Sequence, residues 1–149
     1  MTAKNTPLRY GTVAMTLHWL IALLIIANIC IGLYFADLPH SDPSKLSLAQ
    51  LHKSIGLTVL MLSLARVAWR LINPVPPLPR GMNPALRFFA RATHVLLYVL
   101  IIAIPLTGWM LVSASPLGAL VPTMYFGLFQ WPHIPFLADM DLEIGRAHV

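Results

Sequence analysis

Charge is what this sequence has least of: only 10% of its 149 residues are Asp, Glu, Lys or Arg. Soluble domains carry about a quarter, so an ordinary water-facing surface is excluded. Cysteine is nearly missing too. Cys30 stands alone in an apolar run, which excludes a disulfide framework and a CxxC metal site. Acids are absent from every long apolar stretch, and no small-residue cleavage site follows the first, so that stretch reads as a span and not a removable signal peptide. What is present in quantity is apolar: 58% of residues are hydrophobic and the mean hydropathy is +0.74. That balance belongs to an integral membrane protein, read here as a single domain over 1–149.

Three stretches are long enough to cross a hydrocarbon core of ~30 Å at about 1.5 Å per residue. They are expected at about 13–35, 51–71 and 92–112. Each must be a helix, because only a helix satisfies its own backbone polar groups in lipid. The expected fold class is therefore all-α, a transmembrane bundle of the four-helix type with three spanning helices in this chain.

Charge asymmetry predicts the orientation. Lys4, Arg9, Arg66, Arg70, Arg80, Arg87 and Arg91 lie at one side of the spans, the last three within or just beyond the Pro-rich link "NPVPPLPRGMNP". All five acids, Asp37, Asp42, Asp139, Asp141 and Glu143, fall on the other. The positive-inside rule puts the N-terminus and the arginine loop in the cytoplasm. This topology accounts for the net charge of +5, so no nucleic-acid partner is expected.

After the third span, "SPLGALVPTMYFGLFQWPHIPFLADM" is apolar but interrupted by Pro116, Pro122, Pro132 and Pro135. Prolines at that density argue against a spanning helix. Residues 113–142 are expected to lie in the outer, periplasmic interface, with Tyr125, Trp131 and several phenylalanines at headgroup level. The closing "EIGRAHV", residues 143–149, neither continues the apolar pattern nor closes a helix, and matches a translated sequencing-library adapter. The expectation is that this tail is not native and that the natural protein continues.

Three of the six histidines lie inside predicted spans: His18 and His94 near the cytoplasmic ends of the first and third, and His52 near the outer end of the second. Ionisable groups in lipid are costly and mark a cofactor, a pathway or a partner charge. Gly32 follows His18 by fourteen residues, and Gly108 follows His94 by the same interval. Fourteen residues fall about 40° short of four turns and rise about 21 Å, so each pair shares a face at two depths. His52 and Gly56 share a face one turn apart. A ligand at one depth and a small residue at the other suits two stacked planar cofactors, and haem iron accepts imidazole. Interhelical hydrogen bonding and a proton relay fit the same histidines, and glycines also mark plain helix contacts.

These residues resemble the bacterial cytochrome b561 family, which groups with the cytochrome b subunits of hydrogenases and formate dehydrogenases. The resemblance is carried by "RYGTVAMTLHWLIALLIIANICIGLYF", "LHKSIGLTVLMLSLARVAWRL" and "ATHVLLYVLIIAIPLTGWMLVS", and covers nearly all of 8–138. It implies four transmembrane helices, two haems b at different depths and electron exchange with quinone in a bacterial inner membrane. Carried over by position, His18 would bind the iron of the cytoplasmic-side haem and His52 that of the periplasmic-side haem, with His94 a further candidate near the first. The fourth helix, which in the family supplies partner histidines, would begin about where "EIGRAHV" stands. The sequence as given has no counterpart to it, and His148 is not taken as a substitute.

Arg66 and Arg70, one turn apart, are candidates for haem propionates, or for anionic lipid. Lys53, a cation beside His52 where positive charge is scarce, could hold a propionate, focus an anionic substrate or snorkel. Trp19, Trp69, Trp109 and Trp131 are expected in the aromatic belts, Pro105 is expected to bend the third helix, and His40 and His133 are expected in loops with no ligand task. The implied function is di-haem electron transfer with quinone. Within the same family, some members are described as passing electrons from superoxide to quinone. The competing readings are an anchor subunit docking a soluble dehydrogenase or hydrogenase and a His-based proton-coupled transporter. Expected partners are membrane lipid, quinone, an electron donor or acceptor, and either a second copy or a dehydrogenase.

Overall fold

The computed structural model describes residues 2–6 and 8–139. The tail "EIGRAHV" lies outside the described residues, as do Asp141 and His148. Three long helices dominate: α1 (Thr12–Asp37), α2 (Ser44–Ile72) and α3 (Pro84–Ser113). All three are long and apolar enough to span a membrane, as the run lengths require. A one-turn helix α4 (Pro116–Leu120) and a two-stranded hairpin, β1 (Met124–Tyr125) with β2 (Phe129–Gln130), follow. The fold is thus an all-α membrane bundle carrying one small hairpin that sequence pattern did not indicate.

The helices outrun the apolar stretches, most of all at the starts of α2 and α3, because polar caps and not lipid end them. Asp42 accepts hydrogen bonds from the Ser44 N–H at 2.8 Å and the Ser44 hydroxyl at 2.6 Å, fixing the turn into α2. Asn83 caps α3, its Oδ1 accepting the Ala85 N–H at 2.8 Å, with Pro84 at the first helical position. At the other end of α2, Asn73 turns both its N–H and its side-chain amide to the Trp69 carbonyl. Helix α3 runs on through Pro105.

The middle element of the bundle is α2, which packs against α1 on one side and α3 on the other, while α1 and α3 scarcely meet. Its buried residues include Ile55, Leu57, Val59 and Leu60, and Ile21 of α1 joins Ile55 and Val59 in a core that Leu24, Ile25, Ile31 and Leu62 extend. Outward residues stay bare: Leu23 is 64% exposed, Ile26 61% and Leu33 68%. Water would not tolerate that continuous apolar surface, whereas lipid tails match it.

Residues 122–134 fold back onto the ends of α2 and α3. The Gln50 side chain donates to the Pro122 carbonyl and accepts the Met124 N–H. Phe126, Gly127 and Leu128 connect the strands, the first two in left-handed backbone at φ 47° and 70°. Such a turn suits a hairpin but rarely places Phe there. Here the Phe126 N–H is held by the Ser54 hydroxyl at 3.0 Å. On the α3 side, Trp109 Nε1 donates to the Pro132 carbonyl, and the Ile134 N–H donates to the Ser113 hydroxyl. These ties give the bundle two distinct ends, a hairpin end and an arginine-rich end.

Candidate functional site

At the arginine-rich end, α1 and α3 diverge on either side of α2 and leave a cavity of about 180 Å³. His18 stands on its α1 wall and His94 on its α3 wall, with Arg66 of α2 between them. The remaining walls are mostly aliphatic, including Ile21, Ile25 and Leu97. His94 and His18 are thus brought to one cavity from positions far apart in sequence. Both side chains remain exposed from the open side of the cleft.

The ring of His94 is oriented from its own helix. Its Nδ1 lies 2.6 Å from the Ala90 carbonyl one turn back, which makes Nδ1 the protonated nitrogen and leaves the Nε2 lone pair free. That is the tautomer a metal-ligating imidazole needs. His18 abuts Trp19 edge to face, with ring centroids 5.3 Å apart.

A residue that sequence reading passed over organises the floor of this cavity. The Tyr98 hydroxyl accepts a hydrogen bond from Arg66 Nε at 3.1 Å. The Arg66 and Arg70 guanidinium carbons sit 5.8 and 5.5 Å from the Tyr98 ring centroid. The available signal was spacing, since Tyr98 follows His94 by one turn and shares its face.

At the hairpin end the geometry is tighter. His52 of α2 points across to α1, where its Nδ1 lies 3.0 Å from the Asn28 carbonyl. Nδ1 is again the donor and Nε2 is free. Gly32 is directly opposite: a Cβ there would stand 2.9 Å from His52 Cε1 and 3.2 Å from Nδ1. The gap at Gly32, expected to make room for a planar cofactor or a helix contact, is taken up by the His52 imidazole itself. Phe35 meets the same ring edge on, at 5.4 Å.

Gly56 also faces α1, 3.6 Å from the Asn28 amide nitrogen when given a Cβ. Asn28 Oδ1 is buried with no hydrogen-bond partner among the described residues. Sequence reading missed Asn28 because an isolated amide in an apolar run carries no periodicity. Gly108 is different: nothing among the described residues lies within 4 Å of a Cβ there, so no packing in this chain requires its smallness. Lys53, half-buried, forms no ion pair among the described residues. His133 is more enclosed than a loop histidine need be, with Nε2 buried and unpaired among the described residues.

The donor set suits an iron porphyrin: imidazoles with free Nε2 atoms, apolar walls and an arginine able to meet a carboxylate. The family described as prokaryotic cytochrome b561 matches residues 9–139. The chain is a member of that family. Membership brings b-type haem and electron transfer with it, in a multi-pass membrane protein. Cytochrome b561 homolog 2 of Escherichia coli (strain K12) is 38% identical over 148 residues, spanning 99% of this chain and 75% of the relative. A Yersinia pestis protein named "Probable superoxide oxidase CybB" is 32% identical over 102 residues, covering 67% of this chain and 56% of its own length. Cytochrome b562 of Cereibacter sphaeroides is 33% identical over 104 residues, 66% of this chain and 63% of that protein. Among the described residues, the His18–His94 cavity and the His52–Gly32 contact are the two places where the candidate spanning helices present imidazole.

Proposed function

We propose that this protein is a di-haem b cytochrome of the bacterial inner membrane that exchanges electrons with quinone, its N-terminus and arginine loop facing the cytoplasm. His18 binds iron at the arginine-rich end, with His94 a further candidate there, and His52 binds iron at the hairpin end. A haem held there would supply one-electron redox chemistry. The chain's own residues do the rest. The Ala90 and Asn28 carbonyls fix the tautomers of His94 and His52, the aliphatic residues of the arginine-end cavity would pack against the porphyrin, and Arg66 and Arg70 would meet propionates. The observation that carries the reading is the pairing of free Nε2 atoms with two separate settings at opposite ends of one bundle.

The relative named as a probable superoxide oxidase favours a second reading of the same site, in which superoxide is the donor. Lys53 fits it, as a cation next to His52 with no ion pair among the described residues, on the side of the spans that carries Asp37, Asp42 and Asp139 in the sequence. A reduced-minus-oxidised spectrum of the full-length protein in membranes, with haem extracted and counted, tests the main reading. Two haems b per polypeptide are expected. A colourless protein made with ample haem supply would leave a transporter or a docking subunit in its place.

A further inference from the structure

Arg66 lines the His18–His94 cavity and Arg70 lines a small cavity next to it, with no carboxylate in the lining of either among the described residues. Arg66, partly buried on a mostly aliphatic wall, favours a counter-charge, and a ligand in the cavity is the group placed to bring one. Arg66 borders both that cavity and a smaller one of about 20 Å³ lined by Asn5, Trp69 and Arg70. Unrestrained, its long side chain would sample both. Its Nε is instead committed to the Tyr98 hydroxyl at 3.1 Å, which leaves the outer guanidinium nitrogens for a second partner. The Tyr98 ring also lies under both guanidiniums.

We propose that Tyr98 is a positioning residue: its hydroxyl holds Arg66 against the His18–His94 cavity so that the guanidinium meets an anionic carboxylate of the haem bound there. This rests on the haem reading above. Because Tyr98 is one turn from His94 on α3, the imidazole and the arginine holder are set by one rigid helix. A fixed cation favours the reduced haem, which carries one more electron, and so raises its potential. Loosening that cation lowers it.

The test is a redox titration of the haem-loaded, full-length protein in membranes, comparing wild type, Tyr98→Phe, Arg66→Gln and the double variant. Phenylalanine keeps the ring under both guanidiniums and removes only the acceptor, and haem content and melting temperature verify that the fold survives. Arg66→Gln is expected to lower the potential of one haem and spare the other. Tyr98→Phe should lower the same haem by part of that shift, and the double variant should match Arg66→Gln alone, since the hydroxyl acts only through the arginine. Wild-type potentials in Tyr98→Phe, equal shifts of both haems, or additive shifts in the double variant would overturn the positioning role. Wild-type potentials in Arg66→Gln would overturn it as well, the arginine then serving a lipid phosphate. A wild type with no b haem would sink the underlying haem reading too, whereas haem present with an unmoved Tyr98→Phe would sink the positioning claim alone.

Discussion

A single missing carbon decides the geometry around His52. Alanine at Gly32 would put its Cβ 2.9 Å from the ring, closer than carbon atoms approach, and the ring cannot simply swing away while Nδ1 is held by Asn28. Gly32→Ala is therefore expected to remove most of one b-haem signal and leave the other near its wild-type intensity, as read in difference spectra. Equal retention of both would show that the ring has slack. The histidines themselves were legible in the sequence because a titratable group in lipid demands a reason. Tyr98 and Asn28 were not, since tyrosine passes as a belt residue and a lone asparagine as a tolerated amide. Only the tertiary contact with Arg66 gives the phenol a task, and only the pairing of helices sets Asn28 against His52 and Gly56.

At the scale of elements, run length located three helices and caps decided where they stop. The Asp42 cap has a pH signature. Hydrogen bonds from the Ser44 hydroxyl and N–H hold its carboxyl below the usual carboxylate range. A depressed folded-state pKa means stability that is fully present above the unfolded value and is lost as pH falls through the folded one. Melting temperature is expected to fall across that acid window by a small increment that Asp42→Asn abolishes; an unchanged acid limb in the variant would contradict it. The hairpin was invisible to sequence pattern because "YFGL" lacks the usual Asn-Gly or Asp-Gly signal. Its stabiliser is remote. The Ser54 oxygen accepts from Phe126, and its proton is within reach of the Gln50 and Met124 carbonyls. Ser54→Ala strands buried backbone groups and is expected to destabilise the protein by about 1–3 kcal/mol in thermal or denaturant unfolding.

At the scale of the molecule, three helices stand side by side, with α2 covered on both flanks and α1 and α3 bare toward lipid. That arrangement separates two imidazole settings by most of a membrane thickness, about 21 Å for fourteen helical residues between the depths of His18 and Gly32. The central claim is that His18 and His52 serve different haems. Its most direct test is a redox-resolved difference spectrum of the full-length protein carrying His18→Ala or His52→Ala. Each variant is expected to lose a different b-type component and keep the other. Loss of the same component in both, or retention of both components in either, would contradict the claim.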